Sequence, residues 1–207
     1  MSRRVVLIRH GETVWNAEGR WQGHDGGGLS ALGRAQAAAA AAHLAREADD
    51  VIALVRSDLE RVEATAAPIL ARLDVPERVD ARWREIDVGS WSGRTHAEVA
   101  EVDPEGYADW VAGGDPRRGG GETDAELHAR VAAALDELTE GSGTVLVVTH
   151  GGPVRHAVAS ALGLGAAGRH RLGRASNTGR STLQRGRGGW RLLGYDATDH
   201  LDGLARA

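Results

Sequence analysis

The sequence predicts an α/β fold, a three-layer αβα sandwich around a mostly parallel central sheet. Two observations carry that reading. Short Val-rich apolar runs alternate along the 207 residues with longer segments of helical periodicity. Two of the runs also echo one another: Val5-Val6-Leu7-Ile8-Arg9-His10-Gly11 and Val145-Leu146-Val147-Val148-Thr149-His150-Gly151 both end in His-Gly. Runs that are apolar at nearly every position belong to strands covered by helices on both faces.

Taken in order, Arg3 to Ile8 reads as the first buried strand. Ser30 is placed to cap an Ala-rich helix over residues 31 to 48. Val51 to Val55 is a second strand, and a helix from about Asp58 to Leu73 follows, with Pro68 expected to kink or interrupt it. Val75 to Asp80 is a short third strand. Residues 84 to 120 are loop-rich, with helical pieces over Thr95 to Val102 and Pro104 to Ala112. Glu122 to Thr139 has helical spacing, Thr144 to Thr149 is a strand, and Pro153 to Leu162 is a helix. Ser181 to Arg185 and Trp190 to Tyr195 form a hairpin around Gly186 to Gly189. No linker or composition shift divides the chain, so one domain over residues 1–207 is expected.

Composition narrows the function classes. Hydrophobic residues at 42% and charged residues at 26% suit a soluble globular protein. The net charge of -4 argues against a dedicated nucleic-acid or membrane-surface binder. No apolar run approaches the roughly 18 residues of a spanning helix, and Met-Ser-Arg-Arg leads into a run too short for a signal peptide. A cytoplasmic location is expected. The absence of cysteine excludes a thiol nucleophile and thiolate metal sites, and the histidines show no H-E-x-x-H pair. Neither a metal nor a cofactor is expected.

In open α/β sheets ligands gather at the carboxyl ends of the strands, so His10 and His150 are candidates for one site. The glycine after each lets backbone approach a ligand closely, and a helix start beyond it aims N–H groups at an anion. Arg9 adds a permanently charged fork suited to phosphate oxygens. Neutral imidazole is a competent nucleophile near neutral pH.

These motifs resemble the histidine phosphatase superfamily, which includes the cofactor-dependent phosphoglycerate mutases. Leu7-Ile8-Arg9-His10-Gly11-Glu12-Thr13 with Asn16 is similar to its signature, and Gln22-Gly23 to the loop after it. Leu29-Ser30, Leu32-Gly33 and Gln36-Ala37 resemble the start of its first helix. Ser57-Asp58-Leu59-Glu60-Arg61 with Thr65-Ala66 resembles its second Arg motif. Glu85, Gly89, Trp91 and Gly93 resemble its acidic loop; Gly121-Glu122, Val148 to Gly152 and Asn177-Thr178 follow in order. The likeness covers roughly residues 4 to 195 and implies a phosphoglycerate mutase-like fold.

The resemblance implies that His10 takes up the phosphoryl group and that Arg9, Arg61 and His150 surround it. It implies that Asn16, the Gln22-Gly23 backbone and Gly151 complete the phosphate site, and that Glu85 is the general acid and base. Trp15 and Trp21 flank the signature loop and, with Gln22, are expected to line the substrate pocket. The implied partner is a small phosphorylated metabolite, a sugar phosphate or phosphoglycerate derivative; a homodimer is left open. The expected activity is a phosphomonoesterase, with a mutase-type phosphotransferase and a non-catalytic phosphometabolite-binding module as alternatives. The Gly89 to Ala97 segment is similar to glucosyl-phosphoglycerate phosphatases.

Several assignments have competitors. Ser57-Asp58 reads as the cap that sets Arg61 in the first turn of its helix. Asp87 competes with Glu85, but the Gly-x-Trp-x-Gly spacing favours Glu85. Glu12 is expected to hold the loop. Trp83, Trp91, Trp110 and Trp190 are assigned to core gaps, and His24 and His96 to surface or hydrogen-bonding roles. Arg117-Arg118 and the following Gly run read as a short lid. Gly26-Gly27-Gly28 departs from the family's usual Pro and is expected to loosen the phosphate loop. The seven arginines from Arg169 to Arg191 read as a codon-biased exposed hairpin rather than a basic recruiting face.

Overall fold

The computed structural model describes residues 2–47 and 50–204. Six strands form one sheet in the order β3-β2-β4-β1-β5-β6. They are β1 (Arg3–Arg9), β2 (Val51–Arg56), β3 (Glu77–Val79), β4 (Gly143–Thr149), β5 (Arg180–Gly186) and β6 (Gly189–Ala197). The pairs β3–β2, β2–β4 and β4–β1 are parallel; the β5–β6 hairpin is antiparallel and joins the sheet beside β1. The expected three-layer, mostly parallel arrangement is the one found.

The sheet divides its apolar residues by alternation. Val5 and Leu7 of β1, with Val145 and Val147 of β4, face one core, shared with Leu127 and Val131 of α6 (Asp124–Asp136) and Val154 and Val158 of α7 (Gly151–Ala161). Val6, Ile8, Leu146 and Val148 face the other, against Ala41 and Leu44 of α2 (Ala31–Glu47) and Val62, Ala66 and Ile69 of α3 (Glu60–Leu70). Both faces are therefore dry, which accounts for strands that are apolar throughout. Residue 48, at the end of the helix expected over 31 to 48, lies outside the described residues. Pro68 sits within α3, which ends two residues later at Leu70, short of the expected Leu73. α7 begins at Gly151 rather than Pro153, directly after the histidine.

The loop after β1 includes the short helix α1 (Val14–Ala17), held by a reciprocal cap between Thr13 and Asn16. α4 (His96–Val102) and α5 (Pro104–Val111) follow the acidic loop, where the sequence placed them. Backbone contact fixes the signature loop against α2: a Cβ on Gly33 would lie 1.9 Å from the Glu12 carbonyl oxygen, and one on Gly11 would lie 2.5 Å from that of Gly33. Glu12 ties the same junction, accepting from Ser30 Oγ at 2.8 Å, while its own N–H donates to Gln36 Oε1 at 2.9 Å. Ser30 Oγ in turn accepts from the Gly33 N–H at 3.0 Å, as a helix cap does.

Helix propensity alone would favour Gly33→Ala by about 1 kcal/mol, but the new methyl meets rigid backbone. We expect Gly33→Ala to lower stability by about 1–3 kcal/mol in urea unfolding, whereas Gly27→Ala, which faces open space, leaves the midpoint unchanged or raises it slightly. Equal midpoints for the two variants would show that the contact is not tight.

Candidate active site

Register brings the two His-Gly ends together. β1 and β4 pair in parallel from Arg3↔Gly143 to Arg9↔Thr149, so the next residues, His10 and His150, lie abreast. The His10 N–H donates to the Thr149 carbonyl at 2.8 Å, and the two ring centroids are 5.2 Å apart, edge to face. Both rings are buried, His10 at 2% exposure and His150 at 0%.

Hydrogen bonds set the tautomers. His10 Nδ1 lies 2.7 Å from the Gly11 carbonyl oxygen, which can only accept, so Nδ1 carries the proton and Nε2 the lone pair. Arg61 Nε can only donate, and it lies 3.2 Å from His150 Nδ1. The proton of neutral His150 is therefore on Nε2, directed at Ser57 Oγ at 3.1 Å. Burial, then the Arg61 and Arg9 charges, push the His10 imidazole well below its ordinary range. Burial, Arg61, His10 and Arg9 do the same to His150. Both rings are lowered together, because both are buried and the same two guanidiniums face them.

Arg61, 2% exposed, lies in the first turn of α3. Its NH2 and NH1 donate to the carbonyls of Gly23 at 2.6 Å and Asp25 at 2.7 Å. These bonds tether the Gly-rich loop that the sequence expected to be loose. Burial lowers the Arg61 pKa to about 10, so it remains charged at neutral pH. Ser57-Asp58 does not cap this helix. Leu59 occupies the cap position without a side-chain bond, Ser57 serves His150, and both Asp58 carboxylate oxygens pair with Arg84. Arg9 donates from NH1 to Ala175 O at 2.8 Å, and its buried Nε has no partner among the described residues. Asn177 Nδ2 donates to the His10 carbonyl at 3.0 Å and to Asn16 Oδ1 at 3.3 Å, joining the two asparagines of the chain.

Glu85 is held by main chain. Its Oε1 accepts from the Ile86 N–H at 3.0 Å, and its Oε2 from the Gly152 N–H at 3.2 Å, at the start of α7. A Cβ on Gly152 would lie 2.2 Å from Glu85 Oε1, so the second glycine of His-Gly-Gly makes room for the acid. Arg130 of α6 fastens the loop, donating to the carbonyls of Arg82, Arg84 and Glu85 at 2.7–2.8 Å and to Glu122. Glu122 also accepts from the Asp87 N–H at 2.9 Å, which gives Gly121-Glu122 a structural role.

A cavity of about 500 Å³ opens over this floor. Arg9, His10, Asn16, Gln22, Gly23, Arg61, Glu85 and Gly151, all singled out in the sequence, line it together. Asp87 does not. His150 stands behind the lining with both ring nitrogens engaged, so it supports Arg61 from below rather than facing the cavity. Trp15 is also outside the lining; a Cβ on Gly93 would meet its ring at 3.4 Å. Trp21 does line it, joined by Trp110 and His96, which the sequence reading assigned elsewhere. The rings of His96 and Trp110 lie 4.9 and 5.0 Å from that of Trp21. Gly119 and Gly121 form no free lid: they pack on the backbone of the Asp87–Trp91 segment. The N-terminal part of the Arg169 to Arg191 stretch differs from an exposed hairpin, because Arg169 is buried and both it and Arg174 line the cavity. Arg130 had no motif signal and Ser57 was read as a helix cap; the partners of both are distant in sequence.

The two depressed imidazoles have a consequence for folding. Below about pH 6.5 the unfolded chain binds protons at these positions while the folded chain resists them, so stability falls as pH falls. We expect the urea midpoint to drop between pH 7.5 and pH 5.5, and the slope to become shallower in His10→Gln. A slope identical in the two proteins would contradict a buried, proton-resistant His10.

The pattern of the histidine phosphatase superfamily, branch 1, matches residues 5–198. Among curated relatives, the bifunctional protein of Mycobacterium tuberculosis is 36% identical over 171 residues, 82% of this chain; the match spans 47% of that protein, about half its length. Glucosyl-3-phosphoglycerate phosphatase of Mycolicibacterium vanbaalenii is 37% identical over 171 residues, 78% of this chain and 75% of that one. A solved mycobacterial glucosyl-3-phosphoglycerate phosphatase in complex with VO3 superposes with a TM-score of 0.84 at 34% identity, over 95% of this chain and 100% of that one. No helix among the described residues is long and apolar enough to cross a membrane. With strand register, paired histidines and acidic loop in place and the family pattern running from residue 5 to residue 198, the chain belongs to the histidine phosphatase superfamily, branch 1.

Proposed function

We propose that this chain hydrolyses the phosphomonoester of a small metabolite through a phosphohistidine on His10. The observation that carries the reading is the His10 ring itself: buried, neutral, its Nδ1 proton given to Gly11, and its Nε2 lone pair beside Arg9 and Arg61 on the cavity floor. Nε2 attacks phosphorus and forms a P–N bond as the ester P–O bond breaks. The leaving oxygen keeps the bonding pair and takes a proton from Glu85. In the second half water attacks phosphorus and gives its proton to Glu85, and the P–N electron pair returns to Nε2. Arg9 and Arg61 spread the charge of the three equatorial oxygens, and His150 with Ser57 keeps Arg61 aimed. Positioning and fixed cations supply most of what phosphoryl transfer requires. The named activities of the relatives, and the bound VO3 of one of them, support a phosphatase.

Wild-type protein is expected to turn over p-nitrophenyl phosphate with EDTA present, and His10→Ala to lose both turnover and an acid-labile phosphoprotein. Undiminished turnover in His10→Ala removes the nucleophile, and chelator sensitivity contradicts the metal-free route. A panel of sugar phosphates, phosphoglycerates and nucleotides, run with and without added acceptor alcohols, separates hydrolysis from transfer.

For Glu85→Gln we expect a loss of about 10²–10⁴-fold on alkyl phosphates and a much smaller one on p-nitrophenyl phosphate, whose leaving group needs little protonation. Equal losses on both substrates would show that Glu85 is not the proton donor.

A further inference from the structure

β1 loses its strand neighbours just before His10. Its ladder with β5 ends at the Ile8↔Arg180 pair, and its ladder with β4 ends at Arg9↔Thr149. On the β5 side the turn from Ser176 to Gly179 takes over. The Thr178 N–H donates to the carbonyl oxygens of Arg9 at 3.0 Å and His10 at 3.3 Å, and the Arg9 N–H donates to the Gly179 carbonyl at 3.3 Å. Asn177 Nδ2 reaches the same His10 carbonyl at 3.0 Å.

That turn is strained. Among the described residues two that are not glycine have positive φ, Thr178 at 55° and Asp196 at 53°. The Asp196 carboxylate lies inside the turn, accepting from the Ser176 N–H and hydroxyl, both at 2.7 Å. A β-branched residue in the left-handed region is a costly exception, and such exceptions persist only where the surroundings over-determine them. Thr178 is fully buried, and its side chain is held from the short turn Asp199–Leu201 after β6.

His200 of that turn places Nε2 3.0 Å from Thr178 Oγ1. The hydroxyl gives its one proton to the Asn177 carbonyl at 2.8 Å, so it accepts from the ring. His200 Nδ1 is buried with no partner among the described residues, which leaves it the lone pair. Burial, then the Arg180 and His43 charges, lower the ring to about 4 against the pull of Asp199, so Nε2 is its one donor. Asp199 anchors the turn, accepting from Arg180 NH2 at 2.6 Å and lying 3.7 Å from Nδ1 of His43 in α2. Neither His200 nor Thr178 lines the cavity.

We infer that His200 and Thr178 are positioning residues for His10: the His200 Nε2–H holds Thr178 in its left-handed conformation, and Thr178 fixes the Arg9 and His10 carbonyls, so a turn after the last strand sets where the His10 ring stands. The inference rests on His10 as the nucleophile of the proposed reaction.

The test compares His200→Leu, which removes the donor, with His200→Gln, whose amide nitrogen replaces Nε2. Two readouts are taken on protein that urea curves show to be fully folded. One is p-nitrophenol release in the first turnover; the other is NMR of isotope-labelled histidine, with the His10 ring identified by its absence from His10→Gln. We expect His200→Leu to slow the first turnover about tenfold or more, to change KM by less than about twofold, and to displace the His10 ring signals. His200→Gln should restore both readouts, the rate to within about threefold of wild type. Thr178→Val, which deletes the hydroxyl, should match His200→Leu, and the double variant should lose no more than either single one. Should His200→Leu not fold, Thr178→Val is compared with Thr178→Ser in the same way. Either readout unchanged in His200→Leu overturns the inference, as do equal losses in His200→Leu and His200→Gln, or additive losses in the double variant. If wild type turns over no phosphate ester, the phosphatase reading fails and the NMR comparison decides alone: signals displaced in His200→Leu and restored in His200→Gln leave the positioning role standing.

Discussion

The structure depends on one pairing, the parallel, in-register alignment of β1 with β4. Arg9 opposite Thr149 puts His10 opposite His150, and the strand spacing of about 4.8 Å sets how closely the rings can approach. Shifting β4 by one residue would turn its apolar side chains to the opposite face, so the two separate cores that grip Val145 and Val147 on one side and Leu146 and Val148 on the other also hold the histidines in place. The packing of the sheet and the geometry of the site are one constraint.

Arg61 passes that constraint to the electrostatics. It donates to His150 from Nε and to two loop carbonyls from its amino groups, so one buried side chain links α3, β4 and the loop over the cavity. Its charge and that of Arg9 keep both imidazoles neutral. In the proposed reaction a phosphoryl group approaching the floor meets a neutral nucleophile and fixed cations at once, without a proton having to leave first. Lysine would serve poorly here, since a buried ammonium shifts its pKa readily; Arg61 stays charged even when lowered to about 10.

The sequence disclosed whatever is local or periodic. All six strands, the helices on both faces and the paired His-Gly ends were legible because burial on two faces leaves a continuous apolar run and a helix start leaves a glycine. Of the two competing carboxylates in the acidic loop, Glu85 borders the cavity and Asp87 does not. Features that join distant segments were not legible. Ser57 resembles a cap, and only the fold shows that its hydroxyl faces His150. Trp110 and His96 resemble core and surface residues until α4 and α5 bring them to Trp21. Arg169 belongs to an arginine-rich stretch that composition alone would leave in solvent, yet it is buried. The bonds that engage both nitrogens of the His150 ring, from Arg61 and to Ser57, likewise join segments distant in sequence.

Glu85 shows how a local motif and a distant contact become one device. Its carboxylate is held by main-chain N–H groups, one of them at the start of α7, and such donors do not rotate away as side chains do. That grip exists only because residue 152 has no Cβ to collide with the carboxylate and because Arg130 and Glu122 pin the loop from behind. The glycines after His150 therefore serve two neighbours: the first lines the cavity floor beside Arg9, and the second admits the acid. With β1 and β4 fixing the histidines, α7 growing directly from His150 carries the position of that ring to the Glu85 carboxylate. His10, His150 and Glu85, the groups of the proposed chemistry, are thereby set from one strand pair.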